Sequence, residues 1–127
     1  MEFPIKSLNR LTKSFGYAIS GLIEMVKTEK NARIHLVVSV CAVALGLIMA
    51  INPIEWCVIL ICIALVWAAE ALNTSIEELT NHLFKEYNHT AKKVKDISAG
   101  AVLICAIISV ICGMIIFLPK LIELIFK

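Results

Sequence analysis

The sequence contains few charged residues. Asp, Glu, Lys and Arg make up 17% of its 127 residues, whereas soluble domains average about 25%. Hydrophobic residues account for 60% of the chain. The formal net charge is only +2, so the chain lacks the basic excess that is typical of nucleic-acid-binding proteins. The composition therefore argues against an ordinary soluble domain and against a nucleic acid as a partner.

Several common motifs are also absent. The five glycines form neither GxxxxGK[ST] nor GxGxxG, so a nucleotide must be bound without a glycine-rich phosphate loop. The N-terminus has no short apolar core followed by a small-residue cleavage site, and we expect no removed signal peptide. The five cysteines form no CxxC pair and no Cys/His cluster with metal-ligand spacing. They lie in apolar runs, which predicts free thiols packed as small hydrophobic side chains: Cys41, Cys57, Cys62, Cys105 and Cys112.

Three long hydrophobic runs dominate the chain. A transmembrane helix needs about 20 mostly apolar residues to cross about 30 Å of hydrocarbon. We predict an all-α integral membrane protein, a single membrane domain over 1–127, with an amphipathic surface helix over 1–28 and transmembrane helices over 29–51, 54–82 and 96–118. The Asn-Pro-Ile-Glu segment at 52–55 predicts a tight turn in which proline stops a helix, so the first two spans form an antiparallel hairpin.

The basic residues predict the orientation in the membrane. Six of them precede the first apolar run, which begins at Ile34, none lies in the first turn, four lie between the second and third spans, and two follow the third. By the positive-inside rule, the N-terminus and the second loop are cytoplasmic and the C-terminus is outside. We therefore expect a multi-pass protein of the cytoplasmic (inner) membrane.

Before the first span, apolar residues such as Phe15 and Ile19 recur at helical spacing, and Arg10, Lys13 and Tyr17 belong to a second, polar stripe. This pattern predicts an amphipathic helix at the membrane surface. One interpretation is an interfacial anchor that lysines attract to anionic lipid. The other is a lid whose polar stripe faces a functional site.

The second span acquires polar residues toward its cytoplasmic end. Glu70, Asn73 and Glu77 are offset by three and four residues, so they share one helical face. An acidic residue in mid-bilayer costs about 2.5–3.5 kcal/mol on insertion scales, which makes a functional site the first hypothesis. For Asn73 alone, a polar seam between helices is the favoured alternative. Two glutamates on one stripe favour a site, because like charges need a cation or a shared proton.

A magnesium ion meets that need, since it binds one or two carboxylates together with substrate phosphates. Glu29, at the same interface as Glu77, completes a candidate two-carboxylate site. Glu70 lies deeper and suits a general base for the hydroxyl of an apolar substrate. Lys95 and Asp96 stand directly before the third span, where helix-start amides can hold phosphate, so a nucleotide site is plausible there. The alternative for the lysines of this loop is a role in topology alone.

A small channel or proton-coupled transporter is the alternative function, with Glu70 and Glu77 of several subunits around a pore. It gives no role to Glu29 or to the Lys95-Asp96 pair. The three histidines share no close helical spacing, which favours solvated or interfacial positions over metal ligation: His35, His82 and His89.

Three blocks of sequence carry a resemblance: Glu70-Ala-Leu-Asn-Thr-Ser-Ile-Glu77, Ala91-Lys-Lys-Val-Lys-Asp96 and Ala99-Gly-Ala-Val-Leu103. Together they resemble the small integral-membrane diacylglycerol kinases of bacteria, including their undecaprenol kinase branch. The resemblance covers nearly the whole chain, and the Ile-His-Leu run at 34–36 is more similar to the undecaprenol kinase branch. It implies a homotrimer, with active sites at subunit boundaries, that transfers the γ-phosphoryl group of MgATP to the hydroxyl of diacylglycerol or undecaprenol.

The same resemblance implies individual roles. Glu70 is the general base, and Asn73 orients the catalytic carboxylate or the phosphate. Glu29 and Glu77 hold the metal. Nucleotide contacts are implied for Arg10, Tyr17, Glu29, Glu77, Glu86, Tyr87, Lys95 and Asp96. Lipid-substrate contacts are implied for Arg10, Trp56, Glu70 and Ala99, the last standing where some diacylglycerol kinases have serine.

Overall fold

The structure is a computed structural model that describes the backbone of residues 3–126 and the side chains of residues 7–126. Four helices make up this range: α1 (Phe3–Thr28), α2 (Lys30–Ile48), α3 (Pro53–Leu83) and α4 (His89–Ile125). The described residues contain no strand, so the predicted all-α class is confirmed. Residues 1–2 of the predicted surface helix and Lys127 lie outside the described range.

Helices α2, α3 and α4 are each long and apolar enough to cross a membrane, as the three hydrophobic runs predict. Their 19, 31 and 37 residues correspond to roughly 28, 46 and 55 Å of helix. Helix α4 extends beyond both ends of the predicted 96–118 span. It begins early because the Asn88 side chain accepts a hydrogen bond from the Ala91 N–H, and it continues through Pro119.

Helix α2 ends in a turn at 49–52. Ala50 has a positive φ of 48°, and its N–H donates to the Leu47 carbonyl while the Ile51 N–H donates to the Gly46 carbonyl. This pair of bonds is the Schellman pattern, which satisfies carbonyls that the helix end leaves unpaired. Ile51 follows the reversal and is buried, with 6% of its surface exposed, so the turn is also anchored by apolar packing.

Helix α3 begins with a capping box. The Asn52 side chain accepts from the Glu55 N–H at 2.9 Å, and Glu55 Oε2 accepts from the Asn52 N–H at 2.9 Å. The prediction that Pro53 stops a helix within a turn over 52–55 is therefore wrong: Pro53 begins α3, and residues 54–55 belong to it. Proline is tolerated at this position because the N–H it lacks would have no partner within the helix.

Side-chain contacts show how the helices pair. Helix α4 runs antiparallel to α3, since Lys120 Nζ lies 3.2 Å from Glu55 Oε2 at one end and Lys95 Nζ donates to Asn81 Oδ1 at 3.0 Å near the other. Helices α2 and α3 are antiparallel as well. We call the end with the 49–52 turn the turn end, and the end where α1 meets α2 the α1 end.

The apolar core lies at the turn end. Ile51, Ile59 and Ile116 are buried there, and Trp56 is among the half-buried side chains packed against them. The Trp56 indole lies so close to α2 that a Cβ added to Gly46 would stand 2.8 Å from its Cη2. Helix α2 therefore needs glycine at position 46 for this contact.

All five cysteines are free, as the sequence predicts. Cys62 is buried, whereas Cys41 and Cys57 are exposed on the helix surfaces. Many apolar side chains of α2–α4 face outward in the same way, for example Val37 and Leu103. These outer faces suit contact with lipid or with other subunits.

The capping box generates a prediction. Replacing Asn52 with Ala removes the acceptor for the Glu55 N–H, and loss of an N-cap side chain costs about 1 kcal/mol. We expect Asn52→Ala to lower the free energy of unfolding in detergent micelles by about that amount. Asn52→Ser, which keeps a capping oxygen, serves as the control. Equal stability of the Ala and Ser variants would contradict a role for this cap.

Candidate active site

Glu70 is the most buried large side chain of α3. The residue is 1% exposed, and its Oε2 has no hydrogen-bond partner. The buried hydroxyl of Thr74, one helical turn further along the chain, also has no hydrogen-bond partner. Buried polar atoms without partners are rare in folded proteins. Two of them on adjacent turns of α3 indicate a place where a polar ligand binds.

Asn73 lies on the same face of α3 and is 6% exposed. Its Oδ1 accepts a hydrogen bond of 2.7 Å from the hydroxyl of Ser98 on α4, which is itself buried. The same hydroxyl also lies 2.9 Å from the Lys95 carbonyl oxygen, so Ser98 links the Asn73 side chain to the first turns of α4. Sequence reasoning missed Ser98, although a small polar residue at the start of an apolar run was a usable signal.

Glu29 occupies the break between α1 and α2. Its backbone is extended, with φ −96° and ψ 124°, and it is the N-cap of α2 without a side-chain capping hydrogen bond. The carboxylate is therefore available for another partner. Glu77 follows Glu70 by two turns of α3, so Glu29, Glu70 and Glu77 all lie toward the α1 end of the bundle.

This donor set limits the kind of metal that fits. Within the described part of the chain, no group of three or more His, Cys, Asp or Glu residues is arranged to hold a metal ion. A site fully enclosed by protein ligands, as for structural zinc, therefore does not fit. The carboxylates of Glu29 and Glu77 at the α1 end suit Mg²⁺ better, because this ion uses only one or two carboxylates and takes its remaining ligands from water and phosphate.

A crevice of about 400 Å³ lies at the α1 end, where α3 ends and α4 begins. Four of the predicted nucleotide residues line it: Glu86, Tyr87, Lys95 and Asp96. Lys95 is held by its bond to Asn81, and Asp96 Oδ2 lies 2.6 Å from Lys92 Nζ. The crevice therefore combines ammonium groups, an aromatic ring and carboxylates, which suits a charged nucleotide.

Helix α1 lies beside the turns of α3 that follow Glu70. A second crevice, of about 560 Å³, separates the two helices and is lined by Glu24 and Thr28 from α1 and by Thr74 and Glu78 from α3. Among the α1 side chains that the structure describes, Met25 is buried, with 5% of its surface exposed. On the N-terminal side of the break at Glu29, α1 thus lies along the side of α3 that carries Thr74 and Glu78.

The remaining predicted site residues lie elsewhere. Arg10 and Tyr17 are exposed on α1, and Ala99 is exposed next to Ser98 on α4. Trp56 lies in the turn-end core, about 21 Å along α3 from Glu70. The structure therefore brings most of the predicted residues to the α1 end but does not bring Trp56 there.

His35 is a further residue that sequence reasoning did not place at the site. The sequence favoured a solvated or interfacial position, whereas the side chain is only 19% exposed and its Nε2 lies 3.8 Å from Glu70 Oε2. The helical face of α2 that His35 shares with Ser39 was the available signal.

Known proteins resemble this chain over most of its length. The sequence profile of prokaryotic diacylglycerol kinase matches residues 16–117. The undecaprenol kinase of Bacillus subtilis (strain 168) is 39% identical over 114 residues, which cover 90% of this chain and 93% of that protein. The diacylglycerol kinase of Synechocystis is 35% identical over 115 residues, covering 90% and 66%, and that of Escherichia coli (strain K12) is 29% identical over 102 residues, covering 80% and 84%. The chain is a lipid kinase and belongs to the prokaryotic diacylglycerol kinase family.

Proposed function

We propose that this kinase transfers the γ-phosphoryl group of MgATP to the hydroxyl of undecaprenol in preference to that of diacylglycerol. The mechanism rests on one observation: the Glu70 carboxylate is 1% exposed and has an oxygen without a partner. The preference for undecaprenol is supported by the Bacillus subtilis relative, which carries that name and matches over 93% of its length. The Escherichia coli diacylglycerol kinase is less similar, at 29% identity.

In the proposed reaction, Glu70 accepts the proton of the lipid hydroxyl as the oxygen attacks the γ-phosphorus. The bond from the γ-phosphorus to the β–γ bridging oxygen breaks, and its electron pair leaves with ADP. The products are the lipid phosphate, ADP and a proton that Glu70 releases. Phosphoryl transfer depends mainly on positioning and charge stabilisation. The only proton transfer that the protein has to perform is therefore the one from the lipid hydroxyl to Glu70.

Asn73 serves the same step as an oriented donor. When the Ser98 hydroxyl donates to the Asn73 oxygen, the amide NH₂ is left to hold a phosphate oxygen or the catalytic carboxylate. Interhelical hydrogen bonds of this kind in membranes are worth about 0.6 kcal/mol on average. The value of the bond therefore lies in orienting the amide more than in stabilising the fold.

Glu29 and Glu77 would hold the magnesium ion. When bound, Mg²⁺ neutralises charge on the β- and γ-phosphates and helps to position them. Glu29 is suited to this because its side chain does not cap α2. The carboxylate pair would otherwise repel the triphosphate, so the metal also makes the nucleotide compatible with the site.

The nucleotide would bind in the crevice between the ends of α3 and α4, with contacts from Glu86, Tyr87, Lys95 and Asp96. Arg10 and Tyr17 would reach it from α1, which acts as a lid at the membrane surface. Arg10 would also contact the lipid. Ala99 and Trp56 remain proposed lipid contacts, Ala99 near the reacting end and Trp56 toward the turn end, along the apolar part of the acceptor.

We propose a homotrimer with active sites at subunit boundaries, in the cytoplasmic (inner) membrane, with the N-terminus in the cytoplasm and the C-terminus outside. The distribution of basic residues supports this orientation. The exposed positions of Tyr17 (77%) and Tyr87 (80%) support sites that a neighbouring subunit completes. A channel or transporter function receives no support from a chain that belongs to a kinase family.

The general base is tested by Glu70→Gln, which keeps the shape of the side chain but cannot accept the proton. General base catalysis contributes about 10²–10⁴-fold, so we expect turnover to fall at least about 100-fold. Glu123→Gln, an exposed position at the far end of α4, is the control and keeps its activity. The readout is MgATP-dependent lipid phosphorylation in mixed micelles, with gel filtration as a check on folding. Near-normal turnover of a folded Glu70→Gln protein would rule out the assignment.

The metal site is tested by removing and titrating Mg²⁺. We expect a chelator to abolish phosphoryl transfer. We expect Glu29→Gln to raise the Mg²⁺ concentration that gives half-maximal rate by about tenfold or more, since loss of even a residue that only orients a metal ligand lowers metal affinity about 10–100-fold. Glu123→Gln, on the exposed surface of α4 near its C-terminal end, should leave the Mg²⁺ titration unchanged. An unaltered titration for Glu29→Gln would remove Glu29 from the site.

The acceptor is tested by competition. Undecaprenol and diacylglycerol are offered at matched mole fraction in the same micelles, and the two lipid phosphates are separated and quantified. We expect undecaprenyl phosphate to form with a kcat/KM at least about tenfold higher, which corresponds to about 1.4 kcal/mol of transition-state preference. A preference for diacylglycerol would reverse the substrate assignment while leaving the kinase mechanism intact.

A further inference from the structure

We propose that His35 is a positioning residue for Glu70, and that its Nε2–H holds the carboxylate in the orientation that accepts the lipid hydroxyl proton. This inference rests on the proposed role of Glu70 as the base. The imidazole Nε2 lies 3.8 Å from Glu70 Oε2. A small rotation of either side chain brings this pair to hydrogen-bond distance.

The Glu70 oxygen that lies nearest His35 is buried without a hydrogen-bond partner. Glu70 Oε2 is buried and makes no hydrogen bond, so an N–H donor at this point satisfies an atom that otherwise carries a desolvation cost. A carboxylate held at one oxygen presents the other in a defined direction. Either the neutral Nε2–H tautomer or the protonated ring supplies this donor.

The surroundings of His35 leave Glu70 as its natural partner. His35 lines a groove of about 390 Å³ between α2, α3 and α4 that is lined mostly by apolar side chains. Ser39, the polar neighbour one turn away, is already engaged: its hydroxyl donates to the His35 carbonyl at 2.7 Å and accepts from Trp67 Nε1 at 3.0 Å. Few groups therefore compete for the imidazole.

The hydrogen bonds of Ser39 also hold α2 against α3 near the His35–Glu70 pair. Trp67 precedes Glu70 by three residues on α3, and Ser39 follows His35 by four on α2. The Trp67–Ser39 bond therefore joins α2 to α3 about one turn from the His35–Glu70 pair. It holds His35 opposite Glu70 with the backbone carbonyl of His35 as part of the same hydrogen-bond chain.

The test compares three variants that differ in donor and reach. His35→Gln places an amide N–H near the position of Nε2, His35→Asn carries the same amide on a shorter side chain, and His35→Leu has no donor. We expect kcat to fall about tenfold for Leu and Asn and to stay within about threefold of the original for Gln. The KM for ATP should change less than about twofold in all three, because the imidazole acts on the base and not on the nucleotide.

The outcomes separate this proposal from the function on which it rests. If Glu70→Gln is inactive but His35→Leu keeps its turnover, only the role of His35 is wrong. If folded Glu70→Gln remains active, the base assignment itself fails. Equal turnover of the Gln and Asn variants would also overturn the positioning role, and this comparison still decides the question if the Leu variant does not fold. A loss confined to the KM for ATP would assign His35 to nucleotide binding instead.

Discussion

A carboxylate inside an apolar helix is the feature on which the rest of this structure depends. Glu70 is 1% exposed in a helix long enough to cross a membrane, and a charge in such a position is costly. The helices α2 and α4 and the end of α1 supply the polar groups near it. In the proposed mechanism, the substrate and the metal supply partners that the chain alone does not provide for Glu70.

The two ends of the bundle differ in packing and polarity. At the turn end, the 49–52 reversal, the capping box and the packing of Trp56 on Gly46 make a closed apolar core. At the α1 end, the helices separate around polar crevices that adjoin the Glu70 face. Stability at one end allows unsatisfied polar groups to persist at the other, as is common for functional sites.

The antiparallel pairing of α3 and α4 determines which residues meet at the site. Because their directions oppose, residues after Glu70 on α3 face residues near the start of α4, as the Asn73–Ser98 and Asn81–Lys95 bonds demonstrate. The crevice lined by Lys95 and Asp96 and the buried Glu70 therefore lie along the same pair of helices. The proposed mechanism uses this arrangement, because phosphoryl transfer requires the nucleotide and the lipid hydroxyl to be held close together.

The sequence by itself determined the helical class, the number of apolar helices and the face that carries Glu70, Asn73 and Glu77. These features follow from residue periodicity and from the length of the hydrophobic runs, which are local properties of the chain. The limits of the helices were less predictable, because Pro53 begins α3 and Asn88 begins α4 through side-chain caps that depend on backbone geometry. The resemblance to the kinase family implied that Glu86, Tyr87, Lys95 and Asp96 act together, and in the structure all four line the same crevice. Only the tertiary structure decided that Ser98 contacts Asn73 and that His35 faces Glu70. These contacts depend on how the helices are rotated against one another, and helical periodicity within one segment does not specify that rotation.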